Sequence, residues 1–197
     1  MKPATKGFML GLIAGGILTL VIEVVGLGAL GVLVSSGIGQ SWMADRVLRP
    51  PEFPQTVDAS QPRRVNYEWT LRTLGDESIS FETFRGKTVF LNIWATWCAP
   101  CGMEMPNIER LSRSMADSDV AFVIVSLEDA DVVRSYAERN SLNLPLYVAD
   151  ELPEEFEGDT VPSTFIINPD GNLVFQHTGA SMWDDDRSRD FLRSLSR

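Results

Sequence analysis

The sequence predicts an α/β fold, a mixed central sheet flanked by helices, on three observations. Two apolar, β-branched runs at 88–94 and 120–127 are each followed by residues with helical spacing. Shorter runs before and after them are joined through turn residues, as antiparallel strands are. The part of the chain beyond about residue 64 has the length of one ordinary domain with a single core.

Taken in order, residues 65–74 and 78–81 read as an N-terminal β-hairpin across Gly75-Asp76, because glycine beside aspartate supplies a tight turn between alternating runs. The run 88–94 is then a buried strand. A helix is expected from Cys98 to about Met115, broken or kinked at Pro106, whose ring cannot continue the hydrogen-bond ladder. Residues 120–127 make a second central strand and 130–140 a helix, completing a strand-helix-strand crossover. Residues 144–148 read as a strand and 151–156 as a short acidic helix. Residues 164–167 and 173–178 form a hairpin around Asn168-Pro169-Asp170-Gly171, a clear turn sequence. Residues 183–195 close the domain as a helix, and helices are expected on both faces of the sheet.

The first third of the chain has a different composition. From Gly7 to Val34 the only ionisable residue is Glu23, so the run exceeds the roughly 20 residues that cross a bilayer. A cleavable signal peptide has an apolar core of only about 7 to 15 residues, so an uncleaved signal anchor fits better. Residues 1–6 are then a cytoplasmic N-terminus and 7–34 a single transmembrane helix. Lys2 and Lys6 before the span, against Arg46 and Arg49 diluted by Asp45 after it, favour a cytoplasmic N-terminus. The expected location is the bacterial inner membrane, with the larger part in the periplasm or on the outer face. Gly7, Gly11 and Gly15 line one helix face, where small residues permit helix–helix association. Residues 35–63, with Pro50, Pro51, Pro54 and Pro62, read as an extended tether, and residues 64–197 as the soluble domain.

Charge narrows the partners. The formal net charge is −10, and −11 without Lys2, Lys6 and Glu23. An acidic exported part lacks the cations that phosphate backbones or anionic lipid surfaces require, which argues against nucleic acid.

Both cysteines lie in Trp97-Cys98-Ala99-Pro100-Cys101, where the 88–94 strand gives way to a helix. Residues three apart on a first helical turn are close enough for a disulfide, and helix N-terminal amides favour a thiolate at the first sulfur. Cys98 is therefore the candidate nucleophile and Cys101 the resolving thiol. Other chemistries lack partners. Structural zinc usually takes four Cys or His ligands, and His177 is the sole histidine. Covalent haem needs histidine where Gly102 stands. A disulfide closing so short a loop constrains the unfolded chain little. A copper-delivery module built on the two thiolates stays open. Thiol peroxidase chemistry is weakened because Thr96 lies two residues before Cys98, whereas a peroxidatic cysteine site has its threonine three before.

The run Phe90-Leu91-Asn92-Ile93-Trp94-Ala95-Thr96-Trp97-Cys98-Ala99-Pro100-Cys101, then Glu104-Met105-Pro106 and Val161-Pro162-Ser163-Thr164-Phe165, resembles the TlpA/ResA branch of thioredoxin-fold proteins, which are related to the AhpC/TSA and redoxin group. The resemblance spans about residues 64–197. It implies a thioredoxin-like fold and a membrane-tethered thiol-disulfide oxidoreductase that reduces disulfides of exported proteins, as in cytochrome c maturation or copper-site assembly. A membrane thiol carrier would donate the electrons, and no cofactor or metal is implied.

The resemblance also assigns Pro162 to a cis peptide bond beside the cysteines, leaving the Val161 backbone free to pair with an extended substrate. It assigns Glu104 as the base near Cys101, since Asn92 stands where thioredoxin has a buried aspartate. Trp97 would flank and shield Cys98, and Pro100 would stiffen the motif. With no histidine between the cysteines, Ala99-Pro100 leans toward a reductant. His177 reads as a structural residue of the last hairpin.

Overall fold

Backbone pairing spreads outward from one strand that is buried along its whole length. A computed structural model of the chain describes residues 48–54, 63–158 and 160–196. In chain order the strands are β1 (Thr70–Thr73), β2 (Ser78–Ser80), β3 (Thr88–Trp94), β4 (Val120–Ser126), β5 (Leu146–Val148), β6 (Ser163–Ile167) and β7 (Leu173–Thr178). Among the described residues, the α-helices are α1 (Ala99–Ser114), α2 (Ala130–Arg139) and α3 (Asp186–Leu195). All seven strands join one sheet in the order β2-β1-β5-β4-β3-β6-β7. β3, β4 and β5 run parallel, while β6 lies antiparallel to β3 and β1 antiparallel to β5. The mixed sheet and the N-terminal hairpin are as the sequence predicts.

The placement of the helices differs from expectation. Phe90, Trp94, Phe122, Ile124, Leu146, Val148 and Ile166 on one sheet face share a core cluster with residues of all three helices, among them Cys101, Met105, Ile108, Leu111, Val133, Ala137 and Leu192. The reason is topological. The chain steps from β3 to β4 to β5 in one direction, and two right-handed crossovers taken the same way leave both helices on the same face. The alternate residues Val89, Leu91, Ile93, Val123, Val125 and Phe165 form the other core, with Tyr67, Leu71, Phe81 and Phe156. That face is covered by irregular chain and by two 3-10 turns, Phe81–Phe84 and Glu154–Phe156.

Several expected boundaries move, each for a visible cause. The strand expected at 65–74 is β1 only from Thr70, because its first half crosses toward β7, where Arg64 bridges Asn172 and the Val65 amide donates to Gly171 O at 3.0 Å. Gly171 has φ +80°, the left-handed conformation the turn needs. The acidic helix at 151–156 shortens to Glu154–Phe156. α1 runs through Pro106 without a break, held by the buried Met105, Ile108 and Leu111 on either side. The closing helix begins at Asp186, capped by the Asp185 side chain accepting from Ser188 N, so Trp183 lies in the preceding loop.

The tether is not free throughout. Within Leu48–Pro54, Leu48 and Pro51 are buried, and Phe53 stacks on Phe191 at 4.5 Å and leans on Phe175 at 4.7 Å between ring centroids. Arg49 O accepts from Met182 N at 2.9 Å and from Ser181 Oγ at 3.1 Å. This short strap packs on the β7–α3 side of the domain, ahead of the expected boundary at residue 64. The apolar run 7–34, with Gly7, Gly11, Gly15 and Glu23, lies outside the described residues. Among the described residues, no helix is long and apolar enough to cross a membrane.

Candidate active site

The site grows from the end of β3. After Trp94 the chain turns through Ala95 and Thr96, and the Glu128 carboxylate on the loop after β4 holds that turn, accepting from Thr96 N at 2.6 Å and Thr96 Oγ1 at 2.7 Å. Cys98 is the N-cap of α1, with extended backbone dihedrals (φ −85°, ψ 100°). Pro100 falls in the first turn, where the amide it lacks would have no helical partner. Cys98 and Cys101 are joined as a disulfide with Cα atoms 5.3 Å apart.

The Cys101 amide points at Cys98 Sγ, at 3.2 Å. An unpaired helix amide aimed at this sulfur stabilises negative charge there when the bond opens. Cys98 is 5% exposed and Cys101 fully buried, so an incoming sulfur reaches Cys98 first. Trp97 stands 74% exposed beside the pair and does not join the core. The Val161–Pro162 bond is cis, and Val161 O lies 3.6 Å from Cys98 Sγ. The sequence-predicted Trp97, Cys98, Pro100, Cys101, Val161 and Pro162 thus meet where β3 ends and β6 begins.

Glu104 sits one turn beyond Cys101 on α1 and is fully buried. Asn92 Nδ2 donates to its Oε1 at 2.9 Å, while Ser181 N at 3.1 Å and Trp183 Nε1 at 2.9 Å donate to Oε2. Burial pushes the Glu104 carboxyl up to about 7, against the lowering effect of the Trp183, Ser181 and Asn92 hydrogen bonds. Such a group carries a proton about half of the time at neutral pH and can exchange it with a neighbouring thiol.

Behind Glu104 runs a polar row across three strands. Asn92 pairs with Thr164 in the β3–β6 register, and Thr164 with His177 in the β6–β7 register. Directly opposed residues share a sheet face, here the face α1 packs on. Asn92 Nδ2 also donates to Thr164 Oγ1 at 2.9 Å. Sequence reasoning placed Glu104 but missed these supporting residues. Asn92 and Thr164 could have been found by aligning the buried strands in register, whereas nothing local marks Ser181 or Trp183.

Among the described residues, no three His, Cys, Asp or Glu side chains are grouped so as to hold a metal ion.

Residues 64–176 match the AhpC/TSA family. The chain belongs to the AhpC/TSA family. It is 33% identical over 117 residues to the thioredoxin-like protein YneN of Bacillus subtilis, covering 57% of this chain and 68% of that protein. It is 33% identical over 118 residues to the thiol-disulfide oxidoreductase ResA of Halalkalibacterium halodurans, covering 58% of this chain and 66%, just under two thirds, of that one. A thiol:disulfide interchange protein of Chlorobium tepidum TLS superposes with a TM-score of 0.57 at 21% identity, over 70% of this chain and 99% of the other, a likeness of fold. As a member of this family with a thioredoxin-like fold and a CxxC disulfide, the chain is a thiol-disulfide oxidoreductase.

Proposed function

We propose that the protein reduces disulfides of exported polypeptides from a membrane-anchored position, through attack by Cys98 and resolution by Cys101. The observation that carries this reading is the arrangement at the start of α1: a sulfur facing a helix amide and the Val161 carbonyl, with a buried carboxyl of near-neutral pKa one turn below.

In the reduced protein the Cys98 thiolate attacks one sulfur of a substrate disulfide. The substrate S–S bond breaks, a mixed disulfide forms on Cys98, and the departing substrate thiolate takes a proton from water. The Cys101 thiol then passes its proton to the Glu104 carboxylate, and its thiolate attacks Cys98 Sγ. The mixed disulfide breaks, the second substrate thiolate leaves, and the Cys98–Cys101 disulfide closes. Two electrons have moved from the cysteine pair to the substrate. A dithiol donor, read here as a membrane thiol carrier, restores the pair. An extended substrate segment lies along Val161 by strand addition while the exposed Trp97 offers it apolar contact.

The direction rests on Ala99-Pro100, which places no cation between the sulfurs to hold the reduced pair as a thiolate. The apolar run at 7–34 supports membrane tethering, and the acidic exported part supports polypeptide rather than nucleic-acid partners. Of the substrate settings the resemblance offers, cytochrome c maturation and copper-site assembly both present a protein disulfide outside the cytoplasm.

A disulfide-bonded reporter peptide tests the order of attack. Cys101→Ser should accumulate a stable mixed disulfide through Cys98, and Cys98→Ser should form none. Adducts on Cys101 instead, or none on either, would sink the reading.

A further inference from the structure

We propose that His177 is a positioning residue for this reaction: it holds Ser181 and Trp183, and through them the hydrogen bonds that keep the Glu104 carboxylate in place beside Cys101. The inference rests on the reading of Glu104 as the proton acceptor and extends it to a residue that the sequence marks only as structural.

Geometry carries the case. His177 Nε2 lies 3.1 Å from Ser181 Oγ, and Ser181 Oγ lies 3.1 Å from Arg49 O. A hydroxyl has one proton, and a backbone carbonyl can only accept. Ser181 therefore donates to Arg49 O, and His177 must carry its hydrogen on Nε2 and donate to Ser181. Burial pushes the His177 pKa down, which keeps the ring neutral in this role. The ring is stacked parallel to Phe175 with centroids 6.4 Å apart and meets the Trp183 indole edge-on at 5.7 Å. One side chain thus touches both residues that donate to Glu104 Oε2.

The strap completes the clamp from outside. Successive amides of the loop point opposite ways, Ser181 N inward to Glu104 and Met182 N outward to Arg49 O. Arg49, Glu52, Gln176 and His177 share a cavity of about 480 Å³, which places the strap's charged residues beside the histidine. The titratable and charged groups on the elements packed around Glu104 include Cys101, Glu109, Arg110 and Arg113 on α1, His177 on β7, Asp184 and Asp185 on the loop before α3, Arg189 on α3, and Arg49 and Glu52 on the strap; Arg110 and Arg189 both pair with Asp184, and Arg113 with Glu109.

The test reads the Glu104 carboxyl directly. The full chain in detergent, with its disulfide closed so that no thiol titrates, is labelled with ¹³C at the glutamate carboxyls. The Glu104 signal is assigned by its loss in Glu104→Gln and followed against pH. His177→Leu should raise its midpoint by about one pH unit, the worth of a weakened hydrogen bond to a charged group. His177→Gln, which still presents an N–H to Ser181, should restore the unmodified midpoint. An unchanged midpoint in His177→Leu, or an equal shift in His177→Gln, would overturn the proposal. Should His177→Leu fail to fold, Ser181→Ala carries the same test, with an upward shift expected and an unmoved midpoint contradicting it. The titration needs no substrate, so exchange activity measured on the same samples reports separately on the functional reading.

Discussion

At the scale of single residues, Glu104, the proposed proton acceptor, carries a measurable cost. Its carboxyl titrates near 7 in the folded protein and near 4.5 as an ordinary glutamate. Raised in this direction, it favours the folded state most below about pH 4.5. That contribution is lost as pH climbs through 7, because the unfolded chain ionises first. The difference amounts to about 3 kcal/mol above pH 7. Glu104→Gln should lack this slope. Its amide can be received by rotating Asn92, whose Oδ1 has no partner in the present arrangement. Urea unfolding at pH 4.5 and pH 8 checks this. Relative to the unmodified protein, Glu104→Gln should gain about 3 kcal/mol on going to the higher pH. An equal difference at both pH values would show that the carboxyl does not titrate as described.

The cysteines and Glu104 are legible in local spacing, two residues between the thiols and three from Cys101 to Glu104, whereas Pro162, far along the chain from the cysteines, is legible only through the family resemblance. The donors to Glu104 were not, since Asn92, Ser181 and Trp183 stand 12, 77 and 79 residues away along the chain. His177 looked structural for the same reason, as its neighbours are assembled only by the β6–β7 register and the following loop.

Among the secondary elements, α1 was read almost whole and the last loop was not. The closing helix is expected from Trp183, but the Trp183 indole turns inward to Glu104, and Asp185 supplies the cap of α3, which begins at Asp186. The strap shows the opposite error. Proline-rich composition argued for an extended tether, and Leu48–Pro54 carries no regular secondary structure. Leu48 and Pro51 nevertheless bury, and Phe53 packs on both Phe175 and Phe191. Apolar residues within the prolines were the available signal. Phe53→Ala should lower stability by about 2 kcal/mol, below the usual cost for a fully buried ring because Phe53 keeps some exposure. Thermal unfolding measures the loss, and limited proteolysis should find new cleavage around residues 48–54. A variant with unchanged melting and no new cleavage would mean that the strap contributes nothing to holding the domain.

For the whole molecule, strand order and helix placement follow from chirality more than from composition. The alternation of strands and helices was enough to expect a mixed sheet. Which face each helix takes required knowing that β3, β4 and β5 are consecutive in space. The result puts the first residues of α1, the loop after β4 and the start of β6 at one end of the sheet, where parallel strands end and ligand sites gather. The CxxC pair sits at that end, with the Val161 carbonyl beside it and a buried acid beneath.

The reductant reading is the central claim, and the equilibrium potential of the Cys98–Cys101 couple tests it most directly. The unmodified chain is equilibrated in graded ratios of reduced and oxidised glutathione, or of dithiothreitol where glutathione is too weak, and the fraction of open pairs is counted by thiol alkylation. A reductant of this design should be clearly more reducing than protein disulfide isomerase at about −180 mV, and nearer thioredoxin at about −270 mV. A value near −120 mV, typical of an enzyme that introduces disulfides, would contradict the account.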